Sequence, residues 1–277
     1  MDLIIQALVM GLVQGLTEFL PVSSSGHLIV VPALLGWDDP FITSLAFSVM
    51  LHLGTLAALL AYFRADWLRL VPAGLTALRE RRFAGDDDRR LAWLLAVATI
   101  PAVFAGLALN DAIETVFRQI GLVALMLVVG GAILWLADRH GRRDREIAGL
   151  TFPIALGVGA AQALALVPGI SRSGISISAG LFAGLSRESA ARFSFLMATP
   201  ITALAGAYET FNLITGDAGD GATAEMLVVG MIAALVSGLV AIHGLLRFLR
   251  THPTHVFVAY RVALAGVVVV AWLGPGR

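Results

Sequence analysis

The sequence contains no cysteine and no lysine. The first absence excludes disulfides, a thiol nucleophile and thiolate-bound zinc or iron–sulfur sites. The second excludes a Schiff-base lysine, an amine nucleophile and a P-loop lysine; all nineteen basic residues are arginine. Charge of either sign is scarce, with Asp, Glu, Lys and Arg at 14% of the chain, about half the share usual in soluble domains. Nineteen basic and nineteen acidic residues cancel, so nothing points to nucleic acid. Apolar residues are abundant instead: 58% of the 277 residues are hydrophobic and mean hydropathy is +0.87. This composition excludes a water-soluble globule and an intrinsically disordered chain. A membrane-spanning helix needs roughly 20 apolar residues, so about six to eight membrane segments are available. Met1-Asp2 carries no basic flank and no small-residue cleavage site follows the first apolar run, so this segment is expected to stay in the mature protein.

Six apolar runs read as spans, at roughly 41–63, 91–109, 119–137, 193–213, 226–249 and 256–273. Two further apolar regions are interrupted. Region 3–36 is broken at Pro21-Val22-Ser23-Ser24-Ser25-Gly26, and region 151–186 at Pro168-Gly169-Ile170-Ser171-Arg172-Ser173-Gly174. Broken backbone at membrane depth survives only where protein or a wet cavity covers it. Arginine placement orients the chain. Seven arginines fall in the 64–90 loop and four in 138–150, while Arg187, Arg192, Arg247, Arg250 and Arg261 flank later junctions of the same side. Only Arg118 and Arg277 fall opposite, beside the acidic or near-neutral segments 37–39, 110–118 and 217–225. The arginine-rich side is cytoplasmic by the positive-inside rule. That asymmetry survives only if 151–186 enters and leaves on one face, as a re-entrant helix–loop–helix.

The two broken regions resemble each other at a spacing of about 148 residues: Gln14 matches Gln162, residues 22–26 match 170–174, and Phe47-Ser48 matches Phe193-Ser194. Three spans lie between them, so the sequence predicts an all-α polytopic membrane protein with six spans and two re-entrant segments in an inverted-topology repeat. It forms one integral membrane domain over 1–277, with repeat 1 at about 1–110 and repeat 2 at about 118–273.

Chemistry concentrates at the breaks. Gln14 and Glu18 are four apart and share a helix face; a carboxylate at membrane depth is costly unless paired. Arg172 lies in the second break, at the position Ser24 holds in the first, and reads as the arginine farthest from any loop. Tips that cross would bring Arg172 to Glu18, Ser24 and His27. A guanidinium beside serines, glycines and a helix N-terminus suits a phosphoryl group, which its planar fork binds two oxygens at a time. Other polar residues read as structural: Asp138 as an interfacial cap, His52 as packed rather than ligating, and His243, His252 and His255 as edge residues. The Arg79-Glu80-Arg81-Arg82 run reads as a solvated face or an anionic-lipid contact.

The stretches Glu18–His27 and Pro168–Gly174 with Ser194-Phe195 resemble the bacterial undecaprenyl-diphosphate phosphatases, the family linked to bacitracin resistance. The resemblance implies removal of the terminal phosphate of undecaprenyl diphosphate, which regenerates the lipid carrier for peptidoglycan and other envelope polymers. It also implies a divalent cation, Mg²⁺ or Ca²⁺, and homodimers in the cytoplasmic (inner) membrane, with a periplasm-facing site; the lipid substrate and membrane lipids are the partners. By motif position Glu18, Ser24, His27 and Arg172 are catalytic, Glu18 also holding the metal. Gln14, Ser23, Ser25, Gly26, Gly169, Ser171, Ser173 and Gly174 line the substrate. Gln14 departs from the glutamate often found there. Ser24 is then a nucleophile or a transition-state donor, His27 its base or the acid for the leaving group; alternatively Glu18 activates water. A polyprenyl-phosphate flippase or another inverted-repeat transporter is the competing reading.

Overall fold

The computed structural model describes residues 2–83, 86–109, 119–215 and 223–273. The segments 110–118 and 217–222, with Arg118 and Arg277, lie outside the described residues. In chain order the helices are α1 (Leu3–Phe19), α2 (Ser24–Leu35), α3 (Leu45–Tyr62), α4 (Arg64–Glu80), α5 (Asp87–Ala108), α6 (Ile120–His140), α7 (Phe152–Ala163), α8 (Arg172–Phe182), α9 (Arg187–Thr215), α10 (Ala224–Leu249) and α11 (His255–Leu273). Among the described residues no strand forms. Helices α5, α6, α9, α10 and α11 are long and apolar enough to cross a membrane, and α3 together with α4 makes the sixth candidate. The chain is an all-α, multi-pass membrane protein.

Each broken region makes two helices that pack on each other, α1 on α2 and α7 on α8. Helices α2 and α8 have 12 and 11 residues, hence about 16–18 Å of length. That is well short of the roughly 30 Å hydrocarbon core, so neither helix crosses it alone. Pro21 ends α1: the residue before a proline is driven out of the helical region, and Leu20 is extended at φ −64°, ψ 140°.

The arginine-rich stretch after α3 is not a loop. The chain bends by 85° at Phe63 into α4. Leu68, Val71, Leu75 and Leu78, spaced three or four apart, are all more than half exposed. Helix α4 thus turns an apolar stripe outward at a steep angle to α3. The density of arginines hides this period in the sequence. Asp66 of α4 anchors the helix by accepting from Arg192 of α9 at 2.7 and 2.8 Å.

Helices far apart in sequence pack together. Helix α1 lies along α10, and α7 lies along α5. The α1–α10 contact is close because Gly11 and Gly15 have no side chain. A Cβ on Gly11 would overlap the Gly230 carbonyl oxygen, and one on Gly15 the Ser237 hydroxyl. We expect Gly11→Ala to cost about 1–3 kcal/mol by overpacking, read as a lower unfolding midpoint in detergent. Gly157→Ala, where a Cβ meets nothing within 4 Å, should leave the midpoint unchanged or raise it; equal midpoints for the two variants would show that α1 and α10 have slack.

Candidate active site

The two breaks share one local design. Ser23 and Ser171 both sit at φ 74°, a conformation that costs a non-glycine residue of order 1 kcal/mol or more. Each caps the helix that follows. Ser23 Oγ accepts from Gly26 N–H at 3.3 Å, and Ser171 Oγ from Gly174 N–H at 3.1 Å. The tips touch. Gly169 N–H donates to Ser23 Oγ at 3.0 Å, and Ser173 Oγ donates to Leu20 O at 3.0 Å. The strained serines are thus held by bonds between two loops 146 residues apart in sequence.

Glu18 lies at the centre of this junction, its side chain only 2% exposed. One oxygen, Oε1, pairs with Arg172 Nη2. The other, Oε2, accepts from Ser24 Oγ at 2.5 Å and Gln14 Nε2 at 3.0 Å, and lies 3.3 Å from His52 Nε2. A carboxylate removed from water is tolerable only with such partners. Arg172 is steered from the other side, its Nη1 donating to Thr202 Oγ1 at 2.7 Å and Ala198 O at 3.2 Å. Three of its five N–H groups are used, which leaves Nε–H and one Nη2 hydrogen for a ligand. Arg172, His52, Ser24 and Ser25 are partly exposed, whereas Glu18 and Gln14 are buried, so the carboxylate forms the floor and the guanidinium and serines the mouth. The first-turn N–H groups of α2 and α8 have no intrahelical acceptor, and both helix N-termini favour an anion.

The expected residues separate into two sets. Glu18, Gln14, Ser24 and Arg172 converge. His27 does not reach them through its bonds. Its Nδ1 is 2.7 Å from Ser23 O and its Nε2 2.7 Å from the Tyr260 hydroxyl, with the two rings stacked. The hydrogen bonds of Ser23, Gly169, Ser171 and Ser173 build and join the loops, while Gly26 and Gly174 donate to the capping serines. Ser25 Oγ lies 3.3 Å from Ser23 Oγ at the edge of the mouth.

Three residues were missed. His52 does not simply pack: with Nδ1 2.6 Å from Ser48 O, it presents Nε2 to Glu18. The signal was its place one turn after Ser48, in the stretch that repeats after the second break. Arg261 is not at a cytoplasmic edge but fully buried behind both loops, beside Tyr260. A charge six positions into an apolar run deserved the same suspicion as Arg172. Asp138, expected as an interfacial cap, is buried. It accepts from Thr254 N–H at 2.8 Å and Arg187 Nε at 2.6 Å, tying α6 to the starts of α11 and α9.

Among the described residues no three His, Asp or Glu side chains cluster as a metal site. Gln14 Oε1, however, is buried without a hydrogen-bond partner beside the Glu18 carboxylate. One carboxylate and one amide oxygen fit a hard cation that draws its other ligands from phosphate and water.

The profile of the bacitracin resistance protein BacA family matches residues 7–267. The chain belongs to the BacA family. It is 48% identical to a protein of Gemmatimonas aurantiaca over 97% of both chains. It is 46% identical to one of Trichlorobacter lovleyi over 100% of this chain and 99% of that one. A Myxococcus xanthus protein is 45% identical over 99% of this chain and 90% of its own. All three relatives carry the name undecaprenyl-diphosphatase.

Proposed function

We propose that this chain hydrolyses undecaprenyl diphosphate to undecaprenyl phosphate and inorganic phosphate, recycling the lipid carrier and so conferring bacitracin resistance. The observation that carries the site assignment is the contact of Arg172 with Glu18 at the meeting of the two loop tips, with the Ser24 hydroxyl on the same carboxylate. The transporter reading is not favoured, since the relatives are named for dephosphorylation and Glu18–Ser24–Arg172 is a constellation for bond cleavage.

The remaining Arg172 donors and the first-turn amides of α2 and α8 hold the terminal phosphate and offset charge as the anhydride bond breaks. Ser24 Oγ, already donating to Glu18, attacks the terminal phosphorus while Glu18 takes its proton. The bond to the lipid monophosphate breaks, and water then hydrolyses the phosphoserine. His52 Nε2 relays protons between Glu18 and the mouth. His27, held by Ser23 O and Tyr260, supports the first loop instead of acting as the base. A divalent cation held by Glu18 and Gln14 Oε1 would supply charge neutralisation at the phosphate oxygens.

The site opens to the periplasmic side of the inner membrane on this reading. His52 lies in the first half of α3, which runs from the acidic 37–39 segment toward the arginine-rich α4. The halves are related as an inverted repeat, a relation supported by the matching cap serines and by the exchanged packing of α1 on α10 and α7 on α5.

The purified chain in detergent, with no gradient, should release phosphate from undecaprenyl diphosphate. A rapid quench with substrate labelled in the terminal phosphate should trap label on Ser24 and none in Ser24→Ala. No phosphate release would end the functional reading; release by Ser24→Ala at the parent rate would replace serine attack with direct attack by water.

A further inference from the structure

Arg261 is the largest fully buried side chain among the described residues, at 0% exposure. It has no carboxylate within ion-pair distance among them. All its bonds go to backbone carbonyl oxygens. Nε donates to Leu127 O at 2.9 Å and Nη1 to Pro21 O at 3.2 Å. Nη2 faces Gly169 O at 2.6 Å, Ile170 O at 3.0 Å and Met126 O at 3.3 Å. One guanidinium from the last helix thus holds the tip of the first loop, the tip of the second and the backbone of α6. Burying an unpaired cation in a membrane protein is costly, so its place needs a reason. Space is made for it: a Cβ on Gly130 would overlap Nη2.

We propose that Arg261 is a positioning residue for phosphoryl transfer, holding both loop tips from behind by their carbonyl oxygens. In a trans peptide the C=O and N–H point in opposite directions. Fixing the Ile170 oxygen toward Arg261 therefore fixes Ser171 N–H away from it, and with it the start of α8. The Pro21 oxygen fixes the loop that leads into α2 in the same way. These two helices carry Arg172 and Ser24, so the spacing between clamp and nucleophile is set by a side chain that touches neither. The unpaired charge also adds to the positive field behind the anion site.

The inference rests on the phosphatase reading, and two readouts keep them apart: kinetics, and amide exchange in the loops. Arg261→Lys keeps the charge but loses the fork. Gly130→Ala keeps Arg261 but crowds both Nη2 and the Ile170 oxygen that Nη2 holds, while Gly131→Ala, where the nearest Arg261 atom is 3.6 Å away, is the control. Displacing reacting groups by about 1 Å costs about 100-fold in rate. Arg261→Lys should therefore lower kcat per folded molecule about 100-fold with KM within about threefold, and Gly130→Ala should lower it about tenfold. Gly131→Ala should match the parent. Amides of residues 19–27 and 167–175 should exchange faster together in the first two variants, with α10 unchanged. Unaltered loop exchange in both variants would overturn the proposal, as would faster exchange with a parental kcat. A parent that releases no phosphate would instead remove the phosphatase reading, while exchange still reports whether Arg261 holds the loops. If Arg261→Lys does not fold, Gly130→Ala decides by the first loop, which Arg261 holds through the Pro21 oxygen: faster exchange of residues 19–27 supports the proposal, and unaltered exchange there overturns it.

Discussion

Replacing Arg172 by lysine should lower kcat/KM for phosphate release by about a thousandfold or more, the scale seen when a transition-state arginine is lost. The variant should still fold, because an ammonium keeps a positive charge opposite Glu18. What it loses is geometry. In the parent, Nη2 meets Glu18 while Nη1 is fixed by Thr202 Oγ1 at 2.7 Å and Ala198 O at 3.2 Å, which aims the remaining N–H groups. A lysine offers one nitrogen at the end of a flexible chain and cannot satisfy Glu18, Thr202 and a phosphate together. Steady-state phosphate release alongside the unfolding midpoint checks this. Turnover within tenfold of the parent would mean that the fork does not grip the substrate.

Glu18→Gln should lower kcat by about 10²–10⁴-fold, the range typical of losing a general base. The change is nearly isosteric, so it isolates charge. Ser24 would lose the carboxylate that takes its proton, and Arg172 its counter-ion. Removing one partner of a buried pair costs about 3–5 kcal/mol when the other stays buried. Arg172 is 19% exposed, so the loss of stability should be at the lower end or below. Substrate binding should persist, because a guanidinium freed from Glu18 binds a diphosphate at least as well. The quench experiment then separates the steps: bound substrate without label on Ser24 is expected. Normal labelling of Ser24 in this variant would take the base role away from Glu18.

Much of the loop junction was legible because burying charge is expensive. Glu18 and Arg172 stand out in apolar surroundings, and the matching breaks around Ser24 and Arg172 place them on two loops of like design. Spans were legible for the same reason, since apolar length near the bilayer thickness has few other uses. Helix α4 was not, because its stripe of Leu68, Val71, Leu75 and Leu78 lies among Arg64, Arg69, Arg79, Arg81 and Arg82, a charged stretch that reads as a loop.

The sequence by itself determined that this is a polytopic helical membrane protein, where its chain breaks, and which acid, serine and arginine sit at the breaks. These follow from composition and local backbone chemistry, which act over a few residues. Only the tertiary structure decided which histidine meets the carboxylate and that Arg261 stands behind both loops. Those outcomes depend on which helix faces which. His52, Tyr260 and Arg261 come from helices outside the broken regions, and their rotation about the helix axis is fixed by close packing such as that of Gly54 of α3 on the Met231 backbone and of Gly130 of α6 on Arg261, which no short-range pattern encodes.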